Sequence, residues 1–306
     1  MSFSNDVRQE ICESISDKDK RFACLYGMLL FGKTLSREMI CFQTESPVAA
    51  EQFRALFKAV FRQEVSCREH IRKSGAVLYI HEITDKTLTE SIFSKYRLSD
   101  SRREINSEII ATSSLGVFTA GVFLACGSVN DPSKEYHMEF TVPEEGLALQ
   151  LATLLGDIGV TTGTMTRRGQ YVVYIKGSES IEDTLTFIGA QQCTLELMNV
   201  KIYKDVRNKA NRIANCDAAN IDKVVSAAMK QIDDINYISK VKGLDWLTDE
   251  LKELAEMRLE NVDMSLQEIG DSLSVPISRS GVNHRFKKLA KIADELRSEV
   301  MHNEQQ

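Results

Sequence analysis

The alternation of apolar and polar positions near the end of the chain predicts two helices separated by a short turn. Ser265 and Glu268 have the spacing of a capping box, in which each side chain accepts a hydrogen bond from a backbone N–H at the start of a helix. Pro276 cannot continue that helix, and Ser278 is of a type that caps the next one. The second helix carries apolar residues four, three, four and three positions apart, the pattern of a face packed on a core: Val282, Phe286, Leu289, Ala293 and Leu296. This is the layout of a helix-turn-helix.

The polar side of the second predicted helix carries chemistry suited to double-stranded DNA. Between Pro276 and Arg297 there are six lysines and arginines against two acids. Recognition helices present their first residues to base edges and their cations to phosphates, and Arg279 and Asn283 are of the types that suit guanine and adenine. The predicted DNA-binding residues are Ser278, Arg279, Ser280, Asn283, His284, Arg285, Lys287, Lys288 and Lys291. An amphipathic helical hairpin with a solvated basic face is the alternative, since it has the same pattern.

The first two thirds of the chain contain an internal repeat, with copies at about 22–98 and 115–190. Each copy begins with an apolar helix that ends in a glycine, Gly32 or Gly127, and continues as strand, helix, hairpin and helix. Corresponding landmarks are about 95 residues apart, which favours duplication over chance similarity. The repeat predicts a duplicated α+β domain over residues 1–199.

A cluster of positive charge follows the repeat. The segment 200–216 holds five cations and one acid, which indicates a basic linker before an all-α domain over 217–306. In that domain an apolar stripe from Ile221 to Ile235 and a buried Trp246 are expected to support the helix-turn-helix. Candidate phosphate contacts are Lys204, Arg207, Lys209 and Arg212 in the linker, with Arg167 and Arg168 at a hairpin tip. A solvated linker and an ordinarily charged turn are the alternatives.

Composition is that of a globular protein and limits the classes of function. Hydrophobic residues make up 43% and charged residues 27% of the 306 positions. The formal net charge of −6 requires any nucleic-acid surface to be a local patch. The seven cysteines form no C-x-x-C pair and no ligand-spaced set with the five histidines, so we expect reduced thiols and no zinc site. The chain starts without signal-peptide features and has no apolar run long enough for a membrane span, which predicts a cytoplasmic protein. The predicted DNA binding makes it a nucleoid-associated one.

Two nine-residue segments, Cys24–Gly32 and Thr119–Gly127, resemble the paired motifs of LAGLIDADG homing endonucleases, in which two helices pack along a pseudo-two-fold axis. In the active nucleases the penultimate position of each motif is an acid that binds a divalent metal ion. Here those positions are Phe31 and Cys126, and neither side chain suits magnesium. We therefore expect a degenerate, non-catalytic domain without a metal or other cofactor.

Three long strings extend this resemblance over the whole chain: SFSNDVRQEI, FLACGSVNDPSKEYHMEF and SRSGVNHRFKKL. Together they resemble the WhiA family of bacterial regulators. The resemblance implies an α+β fold class, with a duplicated LAGLIDADG-like N-terminal domain followed by an all-α helix-turn-helix domain similar to region 4 of a sigma factor. It also implies a sequence-specific DNA-binding regulator of transcription, involved in cell division, chromosome segregation and, in some relatives, sporulation.

Two other functions stay open at this point. One is a residual homing-type endonuclease. In the other, the N-terminal domain docks a protein or ligand, and only the C-terminal domain contacts DNA. The expected partner is double-stranded DNA, with another transcription factor or RNA polymerase as a further protein partner and no membrane.

Overall fold

The computed structural model describes residues 2–303, and contacts along the chain divide it into two units that meet between Asp205 and Val206. Each unit has its own hydrophobic core. The first unit begins with helix α1 (Phe3–Ser14), which the sequence patterns did not predict, and then contains two copies of one arrangement of helices and strands.

Both copies have the element order that the repeat predicts, with one short strand added to each. The first copy comprises α2 (Lys18–Leu30), β1 (Thr34–Leu35), β2 (Ile40–Thr44), α3 (Pro47–Phe61), β3 (Arg68–Ile71), β4 (Val77–Ile83) and α4 (Lys86–Lys95). The second comprises α5 (Leu115–Cys126), β5 (Gly127–Val129), β6 (Met138–Val142), α6 (Glu145–Asp157), β7 (Gly163–Arg167), β8 (Gln170–Ile175) and α7 (Ser178–Phe187). The predicted duplicated α+β domain is confirmed.

Each copy forms a four-stranded antiparallel sheet, in the orders β1-β2-β4-β3 and β5-β6-β8-β7. Side chains alternate along each strand, so one face of a sheet can be buried. In β6, Met138, Phe140 and Val142 are buried, and the intervening residues are partly exposed. On the buried side of the first sheet, Phe42 of β2 stacks on Phe53 of α3 with ring centroids 4.4 Å apart. The added strands β1 and β5 are only two and three residues long, too short for a periodic pattern.

Helices α2 and α5 pack against each other at the centre of the first unit, and two glycines allow their backbones to approach closely. A Cβ on Gly27 would overlap the carbonyl oxygen of Phe118, and a Cβ on Gly121 would overlap that of Cys24. Every residue of α2 from Ala23 to Leu30 is buried. Burial on every side explains why the two helices at the start of the repeated copies are apolar all round.

The segment predicted as a linker, 200–216, is helical. It lies inside α8 (Gln191–Val241), a helix of 51 residues. Neither glycine nor proline occurs between Gln191 and Val241, so no residue in this range breaks the helix. The helix ends just before Gly243, whose φ of 78° is left-handed. The predicted basic linker is thus a stretch of continuous helix, and the boundary between the two units falls inside it.

The second unit continues with a 3₁₀ turn (Leu244–Trp246) and helices α9 (Asp249–Glu260), α10 (Leu266–Ser272) and α11 (Arg279–Asn303). All five residues of the stripe predicted on α11 are buried: Val282, Phe286, Leu289, Ala293 and Leu296. They pack with Ile235 and Ile238 of α8 and Leu254 of α9.

Two expectations about this unit are wrong. Trp246 is 56% exposed, because the adjacent Leu247 takes the position in the core. The stripe on α8 is buried only from Ala228 onward, whereas Ile221, Val224 and Val225 are exposed. Helical periodicity in the sequence predicts an apolar face, but it does not predict how much of that face another helix covers.

All seven cysteines are free thiols, and Cys24, Cys41 and Cys193 are buried as expected for core residues. Cys67 and Cys216 are exposed. Within residues 2–303, no helix is both long enough and apolar enough to cross a membrane.

Replacing Gly121 with alanine should destabilise the first unit, because the added methyl group would meet the backbone of α2. We expect the free energy of unfolding in urea to fall by about 3 kcal/mol, as for an overpacked core. Gly156→Ala is the matched control: it lies in helix α6 with no atom within 4 Å of an added Cβ. It should leave stability unchanged or raise it by up to about 1 kcal/mol. Equal stabilities of the two variants would contradict the role of the α2–α5 contact.

Candidate nucleic-acid interface

Helix α10 begins with the capping box that the sequence predicts. The Ser265 hydroxyl oxygen accepts a hydrogen bond from the Glu268 backbone N–H at 3.2 Å, and the Glu268 carboxylate accepts one from the Ser265 N–H at 2.7 Å. The bond from the Ser265 N–H lowers the pKa of Glu268, because it stabilises the charged carboxylate. The start of the first helix is therefore fixed by local bonds.

The turn between α10 and α11 is held by contacts that the sequence did not reveal. The Glu253 carboxylate of α9 accepts hydrogen bonds from both the backbone N–H and the hydroxyl of Ser274. The Ile277 N–H donates to the Gly270 carbonyl at 3.1 Å. A Cβ on Gly270 would overlap the Ile277 carbonyl oxygen, so glycine is needed where the turn crosses α10. The glycine in SLQEIG was the available signal for this crossing.

Helix α11 starts where predicted, since the Ser278 hydroxyl accepts a hydrogen bond from the Gly281 N–H at 3.3 Å. Because successive residues are rotated by about 100°, Ser280, His284, Lys287 and Lys291 form a line opposite the buried stripe. Arg279 and Asn283 lie on one flank of that line. The exposed members of the predicted set are Ser278, Arg279, Ser280, Asn283, His284, Lys287, Lys288 and Lys291.

Arg285 is the member of the predicted set that the structure separates from the others. Its side chain is 17% exposed and its guanidinium pairs with Glu250 of α9 at 3.2 Å. It lies on the side of α11 that faces the core, so its charge supports helix packing. Lys291 makes a weak exposed pair with Glu295 at 3.7 Å. Within the part of the chain that the structure describes, Arg279, Lys287 and Lys288 make no ion pair.

The four candidate phosphate contacts on α8 do not share one face. Lys204 donates to the Pro132 carbonyl at 2.7 Å, and its ammonium lies 4.7 Å from the centre of the Tyr136 ring. Arg207, Lys209 and Arg212 are exposed but point in different directions around the helix. The structure therefore does not bring these four cations together.

The hairpin tip between β7 and β8 holds Arg167 and Arg168. Arg167 donates to the Glu139 carboxylate at 2.7 Å, a bond that raises the pKa of the guanidinium. Arg168 is exposed and adopts a left-handed φ of 52° at the turn. Cations on the first sheet are also paired with acids, Arg68 with Glu82 at 3.3 Å and Arg72 with Glu45 at 2.7 Å.

The two positions equivalent to nuclease acids, Phe31 and Cys126, line one cavity of about 440 Å³. Phe31 is 2% exposed, and the Cys126 thiol donates to the Val122 carbonyl at 3.4 Å. Burial raises the pKa of that thiol, so it stays protonated and neutral. No acid is among the described residues that line the cavity, and residues 2–303 contain no group of three metal-ligating side chains.

Comparison with known proteins covers both units. A family model described as the WhiA LAGLIDADG-like domain matches residues 115–207, and one described as the WhiA C-terminal HTH domain matches residues 210–293. Proteins named probable cell division protein WhiA from Carboxydothermus hydrogenoformans and Clostridium acetobutylicum are each 36% identical to the chain. The first alignment covers 97% of this chain and 99% of the relative, and the second covers 98% and 99%.

A solved structure supports the same fold. The crystal structure of full-length DUF199/WhiA from Thermatoga maritima is similar with a TM-score of 0.57 and 22% identity. The similarity covers 96% of this chain and 99% of that one. A duplicated LAGLIDADG-like domain followed by a helical domain with a helix-turn-helix is therefore the architecture of this protein.

Replacing Glu253 with alanine should loosen the turn before α11, because the Ser274 N–H loses its acceptor. We expect the Ser274 amide hydrogen to exchange with solvent roughly tenfold faster, the effect of losing one hydrogen bond to a charged group. Glu256→Ala, an exposed position on the same helix, is the control and should leave this rate unchanged. An unaltered rate in Glu253→Ala would show that the turn does not depend on this carboxylate.

Proposed function

The chain belongs to the WhiA family, and from that premise we propose that helices α10 and α11 bind specific sequences of double-stranded DNA to regulate transcription. One observation carries the proposal. The N-terminal half of α11 presents Arg279 and Asn283 on one flank of an exposed line that includes Lys287, with Lys288 on the other flank, and the buried stripe of the helix is fixed in a core. Side chains that can read bases and cations that can neutralise phosphates thus lie on one rigid element.

The two kinds of side chain have different roles in this proposal. Lys287, Lys288 and Lys291 contact phosphates and supply affinity that depends on salt but not on sequence. Arg279 and Asn283 reach base edges in the major groove, where a bidentate contact discriminates between base pairs. Arg285 is left out of the DNA contacts, because Glu250 holds it against α9.

The cellular role is the finer part of the proposal. Relatives that are 36% identical are named probable cell division proteins, and we infer that this protein regulates genes of cell division in the cytoplasm, on the nucleoid. Roles in chromosome segregation and sporulation, with another transcription factor or RNA polymerase as a partner, belong to the same hypothesis.

For the N-terminal domain we propose a docking role for a protein or ligand, without cleavage of DNA. Ion pairing on the sheets favours this over a second DNA surface. Arg68, Arg72 and Arg167 are each paired with an acid of the same unit, so a phosphate would have to compete with that acid for each of them. The thiol and phenyl groups at Cys126 and Phe31 offer no oxygen ligand for a metal ion.

Variants on α11 should separate affinity from selectivity. Arg279→Ala should weaken binding to the preferred site by roughly 1–3 kcal/mol and reduce discrimination against altered sites. Lys287→Ala should weaken binding to all sequences alike and reduce the slope of log K against log salt by about 1. Fluorescence anisotropy with matched duplexes at several salt concentrations measures both effects. Lys86→Ala, at an exposed position in α4, is the control. If Arg279→Ala and Lys287→Ala had the same effect, the assignment of a base contact to Arg279 would be wrong.

The nuclease alternative predicts a different result with intact plasmid. Supercoiled DNA incubated with the protein and Mg²⁺ or Mn²⁺ should stay supercoiled, because no acid stands at positions 31 and 126. Agarose gel electrophoresis detects nicked and linear products, and a metal-free reaction controls for background. Reproducible nicking at a fixed site would overturn the non-catalytic part of the proposal.

A further inference from the structure

A cavity of about 410 Å³ lies in the second unit, against the start of α11. Helices α8, α9 and α10 form its walls, with apolar side chains from Val224, Ala228, Met264 and Leu266. Its volume falls within the range of binding sites for small molecules, about 300–1,000 Å³. Because α8 and α9 form part of its walls, the cavity is not a feature of the helix-turn-helix alone.

The charge on the cavity lining is of one sign. Lys223, Arg258 and Arg279 all line it, and no carboxylate is among the lining residues in the described part of the chain. The chain as a whole is acidic, with a net charge of −6, so a lining of three cations is not a reflection of composition. A cavity of this kind favours an anion.

Arg258 is the buried member of these three cations. It is 2% exposed, and its Nη1 donates to the carbonyl oxygens of Val262 at 3.2 Å and Met264 at 2.7 Å. These bonds anchor the chain after α9, yet the Nε atom is buried without a hydrogen-bond partner in the described residues. No acid in residues 2–303 forms an ion pair with Arg258 either. Burial lowers the pKa of this guanidinium, which reflects the cost of keeping a charge out of water without an anion.

A second buried polar atom without a partner belongs to another residue that lines the cavity. The side-chain oxygen of Gln231, which lines the cavity, has no hydrogen-bond partner among the described residues. Rotation of the amide by half a turn would present its NH₂ group, a donor, at the same place. Unpaired buried polar groups are costly, and two of them beside one cavity point to a missing ligand.

We propose that this cavity binds a small organic anion, with its carboxylate or phosphate group against Arg258 and its apolar part against Val224, Met264 and Leu266. Gln231 supplies a further hydrogen bond, and Lys223 contributes charge at the exposed rim. The ligand thereby provides the counter-charge that the fold itself does not give to Arg258.

The position of the cavity links it to the DNA contacts, a link that rests on the proposed function. Arg279 lines the cavity and is also the candidate base-reading residue. The Arg258 guanidinium lies 5.4 Å from the centre of the ring of Phe286, a core residue of α11. A bound anion that attracts Arg279 withdraws it from a guanine and lowers selectivity. By thermodynamic linkage, specific DNA weakens anion binding by the same factor.

Titration calorimetry of the full chain without DNA tests the cavity directly. Octanoate and octyl phosphate are the probes, and octanol, which has the octyl chain of the phosphate and no charge, is the reference. We expect one molecule of octanoate or octyl phosphate to bind per chain, with octanol roughly tenfold weaker or more because it lacks the charged contact. The relative affinity of the two anions identifies whether the site prefers a carboxylate or a phosphate. Equal binding of octanol, or no binding of either anion, would overturn the proposal.

Two substitutions of lining residues test whether the anion binds in this cavity. Gln231→Leu keeps the side-chain volume and should weaken anion binding by roughly three- to tenfold through loss of one hydrogen bond. Lys223→Ala, at an exposed position, should weaken it by a smaller factor that disappears at high salt. Lys240→Ala, also exposed on α8, is the matched control and should bind as the parent protein does. If Gln231→Leu fails to fold, Lys223→Ala and the octanol comparison still decide. Anion binding that is unchanged in both variants would place the site elsewhere and refute the proposal.

DNA is added only in a second experiment, so the two proposals fail separately. If octanoate binds and lowers selectivity for the preferred duplex, the link through Arg279 is supported. If octanoate binds and DNA binding is unaffected, the cavity is a ligand site and the link is wrong. If the anions fail to bind and Gln231→Leu loses affinity for DNA, the cavity is part of the DNA interface and the anion proposal is refuted.

Discussion

Close contact between the backbones of α2 and α5 is the constraint on which the first unit depends. The contact needs glycine at positions 27 and 121, because a side chain at either would overlap a carbonyl oxygen of the opposite helix. Both helices are buried in one hydrophobic core to which helices and sheets of both copies contribute, which explains why they are apolar on all sides. The duplicated fold follows from this arrangement, since each copy covers one side of a shared pair of helices.

Two arginines bond to the carbonyl oxygens at the C-terminal ends of the two central helices. Arg103 donates to the Gly32 carbonyl at 2.7 Å, and Arg8 donates to the Gly127 carbonyl at 2.7 Å. Arg8 and Arg103 are 95 positions apart in the chain, and so are Gly32 and Gly127. Arg8 precedes the first copy and bonds to the end of the central helix in the second, whereas Arg103 precedes the second copy and bonds to that of the first. Cations are favourable at helix C-termini, and burial lowers the pKa of both groups. Glu144 pairs with Arg103 at 3.2 Å, and the two copies thus stabilise each other reciprocally through these arginines.

In the second unit, one face of helix α11 is buried in the core and the other is exposed. The buried stripe of α11 fixes the helix, and the exposed line from Ser280 to Lys291 is left for a partner. Glu250 and Glu253 of α9 hold Arg285 and the turn, so two acids that the sequence patterns did not single out position the interface. Sequence reasoning found the stripe, the capping box and the exposed cations because each depends on local spacing. It could not place Arg285, whose partner lies 35 residues away in the chain.

The sequence by itself determined the duplicated α+β order, the helix-turn-helix and the loss of acids at positions 31 and 126. These are properties of periodicity, capping and residue type, and they act over one or two helical turns. Only the tertiary structure decided that 200–216 is helical, that Trp246 is exposed and that Arg258 lines a cavity without an ion pair to any acid of residues 2–303. Each of these depends on which surfaces meet across the fold, and burial and pairing of charges are set by residues that are distant in the chain.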